Sequence, residues 1–562
     1  MAQRSGGRIL IDQIAAHGVR HIFTVPGESF LPALDAMIDA PALTPVVTRH
    51  EGAAAMMAEA TGKLTGCPGV AFVTRSPGAA NALSGVAIAA EDETPMLLLV
   101  GMPPTSSEQR HPFQSIDLTA VFGSLAKRVE CVREPGAIPE AVARAMAAAR
   151  SGKPGPVVLG FPEDVLGAGS DAADVDPSPV PRALPAPGDI AQLAMRIEHA
   201  ERPLVIVGGP GWSADAQGAM AAFASRFEVP VAASFRCQDY IANAHPCFAG
   251  HLGIAIDGKL AAAVRSADLL IAIGAPLGEI ATGGWQVLTP EAAHRVLVHV
   301  RPEADSFSPV LRAAQPVVAD PSAFALALAA LPGPAKPPPW SAWRRDLRRA
   351  FETWRTVADE AAAASPRFAD LSTCIRTASS LLPANAIVTN GAGNYTAFLH
   401  RHFEYKGFRT ALAPESGAMG YGLPAAIAAK LAYPDRPVVA FAGDGCFAMT
   451  AMELATAVQY TLPIVVVVVD NGSYGTIRMH QERRFPGRVV ATSLINPDFA
   501  SLARSFGAHA EDVRDTGAFG PALKRAVASG RPALVTLKTD PGRLSPGPVR
   551  HARSLPENDS EQ

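Results

Sequence analysis

Residues 443–471 read GDGCFAMTAMELATAVQYTLPIVVVVVDN, a Gly-Asp-Gly turn followed at fixed distance by an asparagine that closes a very apolar run. The preceding residues, VVAFA (Val438 to Ala442), are continuously apolar, as expected of a parallel strand covered on both faces. Gly443 and Gly445 allow backbone amides to approach an anion, and Asp444 between them offers a hard carboxylate oxygen to a magnesium-type cation. The pattern predicts a helix from about Phe447 to Gln459 and a strand from Ile464 to Val469, which would return Asn471 to the sheet edge carrying Asp444. One carboxylate, one amide oxygen and a nearby backbone carbonyl can hold a cation that bridges phosphates.

Outward from this unit, two stretches rich in Pro, Gly, Ala and Asp, residues 167–188 and 331–339, have linker composition. They divide the chain into three blocks, expected at residues 1–166, 189–331 and 365–545. In each block short β-branched runs alternate with Ala-rich segments, so the fold class is α/β with three doubly wound parallel-sheet domains. The first and third blocks also resemble each other. EGAAAMMAEATGKLTGCPGVAFVTRSPGAANAL from Glu51 aligns with SGAMGYGLPAAIAAKLAYPDRPVVAFAGDGCFAM from Ser416 as helix, Lys-Leu, loop, Val-x-Phe strand and Gly-containing turn, the mark of a duplication.

Composition narrows the function. A net charge of −3 over 562 residues gives no electrostatic reason for a nucleic-acid or anionic-membrane partner. The six cysteines have neither CxxC nor zinc-ligand spacing, so no disulfide framework is indicated. With no signal-peptide pattern in MAQRSGGRILIDQIAAHG and no apolar run approaching ~20 residues, a cytoplasmic enzyme of small-molecule chemistry is expected.

The strand, turn, helix, strand and Asn unit resembles the signature of thiamine diphosphate enzymes. The resemblance covers nearly the whole chain and is nearest to the acetolactate synthase and 2-oxoacid decarboxylase branch: TRSPGAANALSGVAIAAEDETPMLLLVG (from Thr74) and HPFQSIDLTAVFGSLAKRV (from His111) look like acetolactate synthase segments. It implies Mg2+ ligation by Asp444, Asn471 and the backbone oxygen of Ser473. A second Asn, common in the family before the metal-binding one, is replaced by Asp470. Glu51, in TRHEGAAAMM, is the candidate activator of the coenzyme's aminopyrimidine, read as a buried carboxyl able to share a proton near neutral pH; the bland alternative is a helix N-terminal Glu favoured by the dipole. In PESGAMGYGLP the resemblance implies that the Gly417 carbonyl accepts from the aminopyrimidine and that Met419 wedges between the coenzyme rings, a task suited to an unbranched, polarizable side chain. Gly443, Gly445, Cys446, Asn394 and Tyr474 complete the expected coenzyme contacts. Asn394 would serve as a donor beside the diphosphate, and Cys446 reads as a small core residue rather than a nucleophile.

Departures from the family bear on the reaction. IGAPLGEI (from Ile273) lacks the Arg and acidic pair that stand beside FAD in biosynthetic acetohydroxyacid synthases, so FAD is expected to be absent. VIVGGPGW (from Val205) is not a GxGxxG fingerprint, which argues against nicotinamide binding. His480 occupies the place of a Trp that favours a larger acceptor, and Glu28 stands where those synthases have Gly and pyruvate decarboxylases an acidic residue. Glu28, Phe113, Gln114 and His480 are the expected substrate-selecting groups, with Glu28, Gln114 and His480 joining Glu51 as catalytic candidates. Decarboxylation of a small 2-oxoacid, then ligation of the resulting enamine to a second 2-oxoacid or an aldehyde, is the expected reaction; simple decarboxylation and a silent nucleotide-binding relative are the alternatives. Family analogy implies a homodimer or homotetramer whose sites lie between chains.

Overall fold

Each block is built on a six-stranded sheet whose strands all run parallel. The computed structural model describes residues 3–334, 336–356 and 367–546. Residues 1 and 2 of the first expected block and 365 and 366 of the third lie outside the described residues. The first sheet contains β1 (His21–Thr24), β2 (Thr44–Val47), β3 (Gly69–Thr74), β4 (Met96–Met102), β5 (Arg128–Cys131) and β6 (Pro156–Pro162) in the order β2-β1-β3-β4-β6-β5. The central sheet contains β7 (Pro203–Val207), β8 (Val231–Ala233), β9 (Phe248–His251), β10 (Leu269–Ile273), β11 (Leu297–Arg301) and β12 (Gln315–Val318) in the order β9-β8-β7-β10-β11-β12. The third contains β13 (Ile387–Asn390), β14 (Ala411–Leu412), β15 (Val438–Gly443), β16 (Ile464–Asp470), β17 (His509–Val513) and β18 (Ala533–Lys538) in the order β14-β13-β15-β16-β18-β17. The outer two sheets thus share one strand order, in keeping with the duplication read from the sequence, whereas the central sheet has the order associated with dinucleotide folds.

The strands are buried on both faces, which is why they read as unbroken apolar runs. The first and third blocks share a core. The helix Glu51–Thr65 packs on the helix Gly422–Ala432 through fully buried alanines such as Ala54, Ala58, Ala425 and Ala428. Within the first block the same helix is closely approached on other sides, since a Cβ on Gly85 would lie 2.4 Å from the Cβ of Ala55 and one on Gly62 2.0 Å from the Pro95 carbonyl oxygen.

In the decisive unit β15 and β16 pair in register from Val438 with Ile464 to Gly443 with Val469, so the Asp444 and Asn471 turns leave the sheet side by side. The expected single helix between them is two helices, Asp444–Ala448 and Glu453–Gln459. The break falls at Thr450, whose hydroxyl donates to the Gly420 carbonyl at 2.7 Å while its amide closes a turn onto Phe447. In the central block, Gly209 packs against the Gly274 carbonyl and Gly274 against the Gly208 carbonyl, to which Trp212 Nε1 also donates at 3.0 Å. The same turn, from Gly209 to Ser213, edges a second cavity of about 430 Å³.

Candidate active site

Ligands of open parallel sheets bind outside the carboxyl ends of the strands, where the strand order reverses. In the third sheet that point lies between β13 and β15, and a cavity of about 270 Å³ opens there, lined by the turns after β13, β15 and β16. Asp444, Asn471, Ser473, Tyr474, Gly443, Gly445, Cys446, Asn394, Gly417 and Met419 all line it. The sequence-expected metal and coenzyme residues are therefore brought together without exception.

Asp444 is buried, with Oδ1 accepting from the Gly445 amide at 2.8 Å and Oδ2 from the Gly472 amide and Asn496 Nδ2, each at 2.8 Å. Burial is the strongest influence on its carboxyl and pushes its pKa up, against those donors; a cation alongside would oppose that shift. Asn471 Oδ1 accepts from the Ser473 amide at 3.0 Å, an Asx turn that fixes the side chain. The Ser473 carbonyl accepts from the Gly475 amide at 2.8 Å and keeps a second lone pair. Gly445 is required because a Cβ there would lie 2.5 Å from the Tyr474 ring. Two buried polar atoms in the lining, Asn394 Nδ2 and Ser473 Oγ, have no protein partner. Such atoms are costly unless a ligand or water satisfies them. Hard oxygen donors on one side and unsatisfied donors on the other fit a divalent cation with a diphosphate.

Cys446 is 2% exposed; its Sγ accepts from the Gly420 amide at 3.2 Å and lies 3.6 Å from the Tyr395 hydroxyl. It packs the turn, as the core reading held.

The first-block candidates stand elsewhere within the chain. Glu51 opens its helix behind His50, whose Nδ1 accepts from the Gly52 amide at 3.0 Å. Its carboxylate accepts from Asn81 Nδ2 at 2.9 Å. The expectation of a buried carboxyl is corrected: Glu51, the first residue of its helix, is half-buried in the single chain, with Asn81 and Gly78 beside its carboxylate. Glu28 is exposed at the start of a short 3₁₀ turn, and Phe113 is 75% exposed. Gln114 is half-buried with φ +59°, and its carbonyl accepts from the Ser76 amide at 3.0 Å. None of these first-block groups lines the third-block cavity. His480 is exposed on the helix Gly475–Arg484, one turn beyond the cavity-lining Ile477. Its neighbour Arg478 is buried and bonds Glu482 at 2.8 Å.

Sequence reasoning missed three partners. Asn496 bridges Asp444 and Asp470, donating to the latter at 2.9 Å, and no spacing rule points to it. Lys538 pairs with the Asp470 carboxylate; the two face each other in register between β16 and β18, a signal that strand alignment could have supplied. This ion pair accounts for an Asp at 470. Asn81, the Glu51 donor, lies in the quoted SPGAANAL stretch without a signal of its own.

Comparison with known proteins agrees with this geometry. Three thiamine pyrophosphate enzyme domain models match in order: the N-terminal TPP binding domain at residues 4–121, the central domain at 190–328 and the C-terminal TPP binding domain at 391–537. Among relatives, a probable acetolactate synthase large subunit of Methanocaldococcus jannaschii is 31% identical, with 96% of this chain and 93% of the relative covered. An acetolactate synthase large subunit of Parasynechococcus marenigrum is 32% identical (94% and 87% covered), and the isozyme 2 large subunit of Escherichia coli is 29% identical (95% and 96% covered). The fold and site define a thiamine diphosphate-dependent enzyme. Within that class, the chain belongs to the thiamine pyrophosphate enzyme family as an acetolactate synthase-like member.

Proposed function

We propose that the chain is a thiamine diphosphate- and Mg2+-dependent carboligase that decarboxylates a small 2-oxoacid and joins the remainder to a second 2-oxoacid or an aldehyde. The observation that carries this reading is the third-block cavity, where Asp444, Asn471 and the Ser473 carbonyl face the unpartnered donors Asn394 Nδ2 and Ser473 Oγ. Asp444 Oδ, Asn471 Oδ1 and the Ser473 carbonyl would hold the cation, and Asn394 would donate to the diphosphate. Gly417 and Met419 would seat the coenzyme rings. When bound, thiamine diphosphate supplies a carbon nucleophile and an electron sink. Glu51 would hold and exchange the activating proton at its carboxylate, with Asn81 fixing its orientation.

The active form is inferred to be a homodimer or homotetramer that brings Glu51, Glu28 and Gln114 of one chain to the cavity of another. Support comes from the openness of Glu51 and from exposed apolar side chains near the cavity, among them Met449, Met452, Ile477 and Phe485, each more than half exposed. Glu28 and His480, both solvent-facing, are the groups through which a proton could compete with the ligation acceptor, which favours simple decarboxylation as the second reading. We infer that FAD is absent. No arginine occurs in residues 273–280, and Arg301 at the end of β11 is engaged by Glu93, the Gly274 carbonyl and the Ser306 carbonyl. The domain borders 1–166, 189–331 and 365–545 and a cytoplasmic setting belong to the same reading; among the described residues no helix is long and apolar enough to cross a membrane.

Incubating the purified chain with thiamine diphosphate, Mg2+ and a panel of 2-oxoacids, with carbon dioxide and products followed by mass spectrometry, tests the proposal. Coenzyme-dependent carbon dioxide with a ligated product is expected. Carbon dioxide with only aldehyde product would shift the assignment to decarboxylase, and no coenzyme-dependent turnover would sink both readings.

A further inference from the structure

The segment Gly417–Met419, which edges the coenzyme cavity, is suspended between two anchors of different origin. On its C-terminal side Gly420 is held by its own block, through the Cys446 thiol at 3.2 Å and the Thr450 hydroxyl at 2.7 Å. On its N-terminal side the polar backbone groups of residues 413–416 are gripped by the other two blocks. Asp92 receives the Glu415 amide on Oδ2 and the Ser416 amide on Oδ1, both at 2.8 Å. Lys63 Nζ donates to the Ala413 carbonyl at 2.9 Å and to Asp92 Oδ2 at 2.5 Å. From the central block, Arg236 donates to the Pro414 carbonyl and the Cys237 thiol to Glu415 Oε1 at 3.4 Å. Gly417 itself is exposed with φ +74°, and nothing stands within 4 Å of where its Cβ would be. Its placement is therefore set from behind.

We propose that Lys63 and Asp92 are positioning residues for the coenzyme, a clamp from the first block that fixes residues 413–416 and thereby sets where Gly417 and Met419 stand at the cavity edge. A bidentate carboxylate on two successive backbone amides fixes both the position and the direction of the chain that follows. Stability alone is a poor reason for this arrangement, because an ion pair withdrawn from water repays its desolvation only with good geometry and is often no better than an apolar pair of equal volume. The surroundings also favour an intact Lys63–Asp92 pair. Asp92 is the largest influence holding the Lys63 ammonium charged, whereas burial pushes the neighbouring Glu59 and Glu415 carboxyls up to about 7. In this way the same chain's first block acts on a coenzyme site built by its third.

The inference rests on the coenzyme reading, so its test measures coenzyme binding directly rather than turnover. Thiamine diphosphate with Mg2+ is titrated calorimetrically, and by its circular dichroism band, into the wild-type chain, Asp92→Asn, Lys63→Gln and Asn243→Ala. The last removes a buried contact between the central and third blocks, in which Asn243 Oδ1 accepts from the Tyr405 amide at 2.9 Å and neither Lys63 nor Asp92 takes part. Asp92→Asn is expected to raise the coenzyme Kd by about 10- to 100-fold, the usual range for outer-shell partners of a bound group, with an altered dichroism band. Lys63→Gln should give a smaller rise in the same direction, and Asn243→Ala a lower Tm at unchanged Kd. Wild-type Kd and dichroism in both clamp variants would overturn the proposal, as would an equal loosening in Asn243→Ala. Failure of both clamp variants to fold, with Lys63→Arg also unfolded, would assign the pair a purely structural role. A wild-type chain that binds no coenzyme would instead overturn the coenzyme reading itself.

Discussion

The first and third blocks share one strand order, yet the turn after the third strand carries opposite charge in the two. After β15 it places Asp444 at the cavity, whereas after β3 it places Arg75, which is paired with Glu163 at 2.8 Å. A cation can be held at the first position and is repelled at the second. The other side of the comparison is exposure. The third block collects Asp444, Asn471 and Ser473 into one cavity lining, while the first leaves Glu51, Glu28 and Gln114 at an open or half-covered face. Backbone order is thus common to both halves, because apolar strands with crossover helices have few alternatives, and chemistry is divided between them by single side chains.

The division is broken or sharpened most strongly at Glu51. If the first block supplies the proton and the third the grip, Glu51→Gln should slow coenzyme ring-proton exchange, read by NMR, by about 10²–10⁴-fold at nearly unchanged coenzyme affinity. Exchange at the wild-type rate would take Glu51 out of the mechanism. The reciprocal change, Asp444→Ala, should weaken Mg2+-dependent coenzyme binding by about 10²-fold or more, since removing one partner of a buried charged contact costs about 2–5 kcal/mol. Tight calorimetric binding by that variant in excess chelator would contradict the assignment.

A smaller effect is expected at His480, where each product has its own proton requirement. His480→Trp should alter the ratio of ligated to protonated product, or the preferred acceptor size, by a few-fold while leaving coenzyme affinity alone. An unchanged ratio and acceptor profile with the same donor would return His480 to the solvated surface. The smallest effect concerns the buried contact joining the halves, Glu59 to the Tyr421 hydroxyl. Burial pushes the Glu59 carboxyl up to about 7 from an ordinary 4.5, so the folded chain binds this proton more tightly than the unfolded one. Its stability contribution is then full below pH 4.5 and lost as pH rises towards 7. Denaturation of Glu59→Gln against wild type across that window should show the difference moving in the variant's favour with rising pH; a constant difference would show that Glu59 does not titrate there.

Much of this was legible because it is local. The Asp444 to Asn471 unit is one strand-helix-strand segment whose ends must meet once the strands pair, so spacing alone brought Asp444 and Asn471 to one cavity. The shared strand order of the outer blocks was foreshadowed by the two alignable stretches from Glu51 and Ser416. Thr450 was misread as mid-helix, since its affinity for the Gly420 carbonyl depends on a loop 30 positions away.

The sequence by itself determined the three parallel sheets and the side-by-side turns of Asp444 and Asn471, because strand patterning and short-range spacing act along the chain. Only the tertiary structure decided that Asn496 ties Asp444 to Asp470 and that Asp92 and Lys63 hold residues 413–416. It also decided that Glu51 stays half-open in the single chain. Hydrogen bonds between residues hundreds of positions apart, and the exposure of a helix end, are set by how whole blocks pack, and no local pattern carries that information.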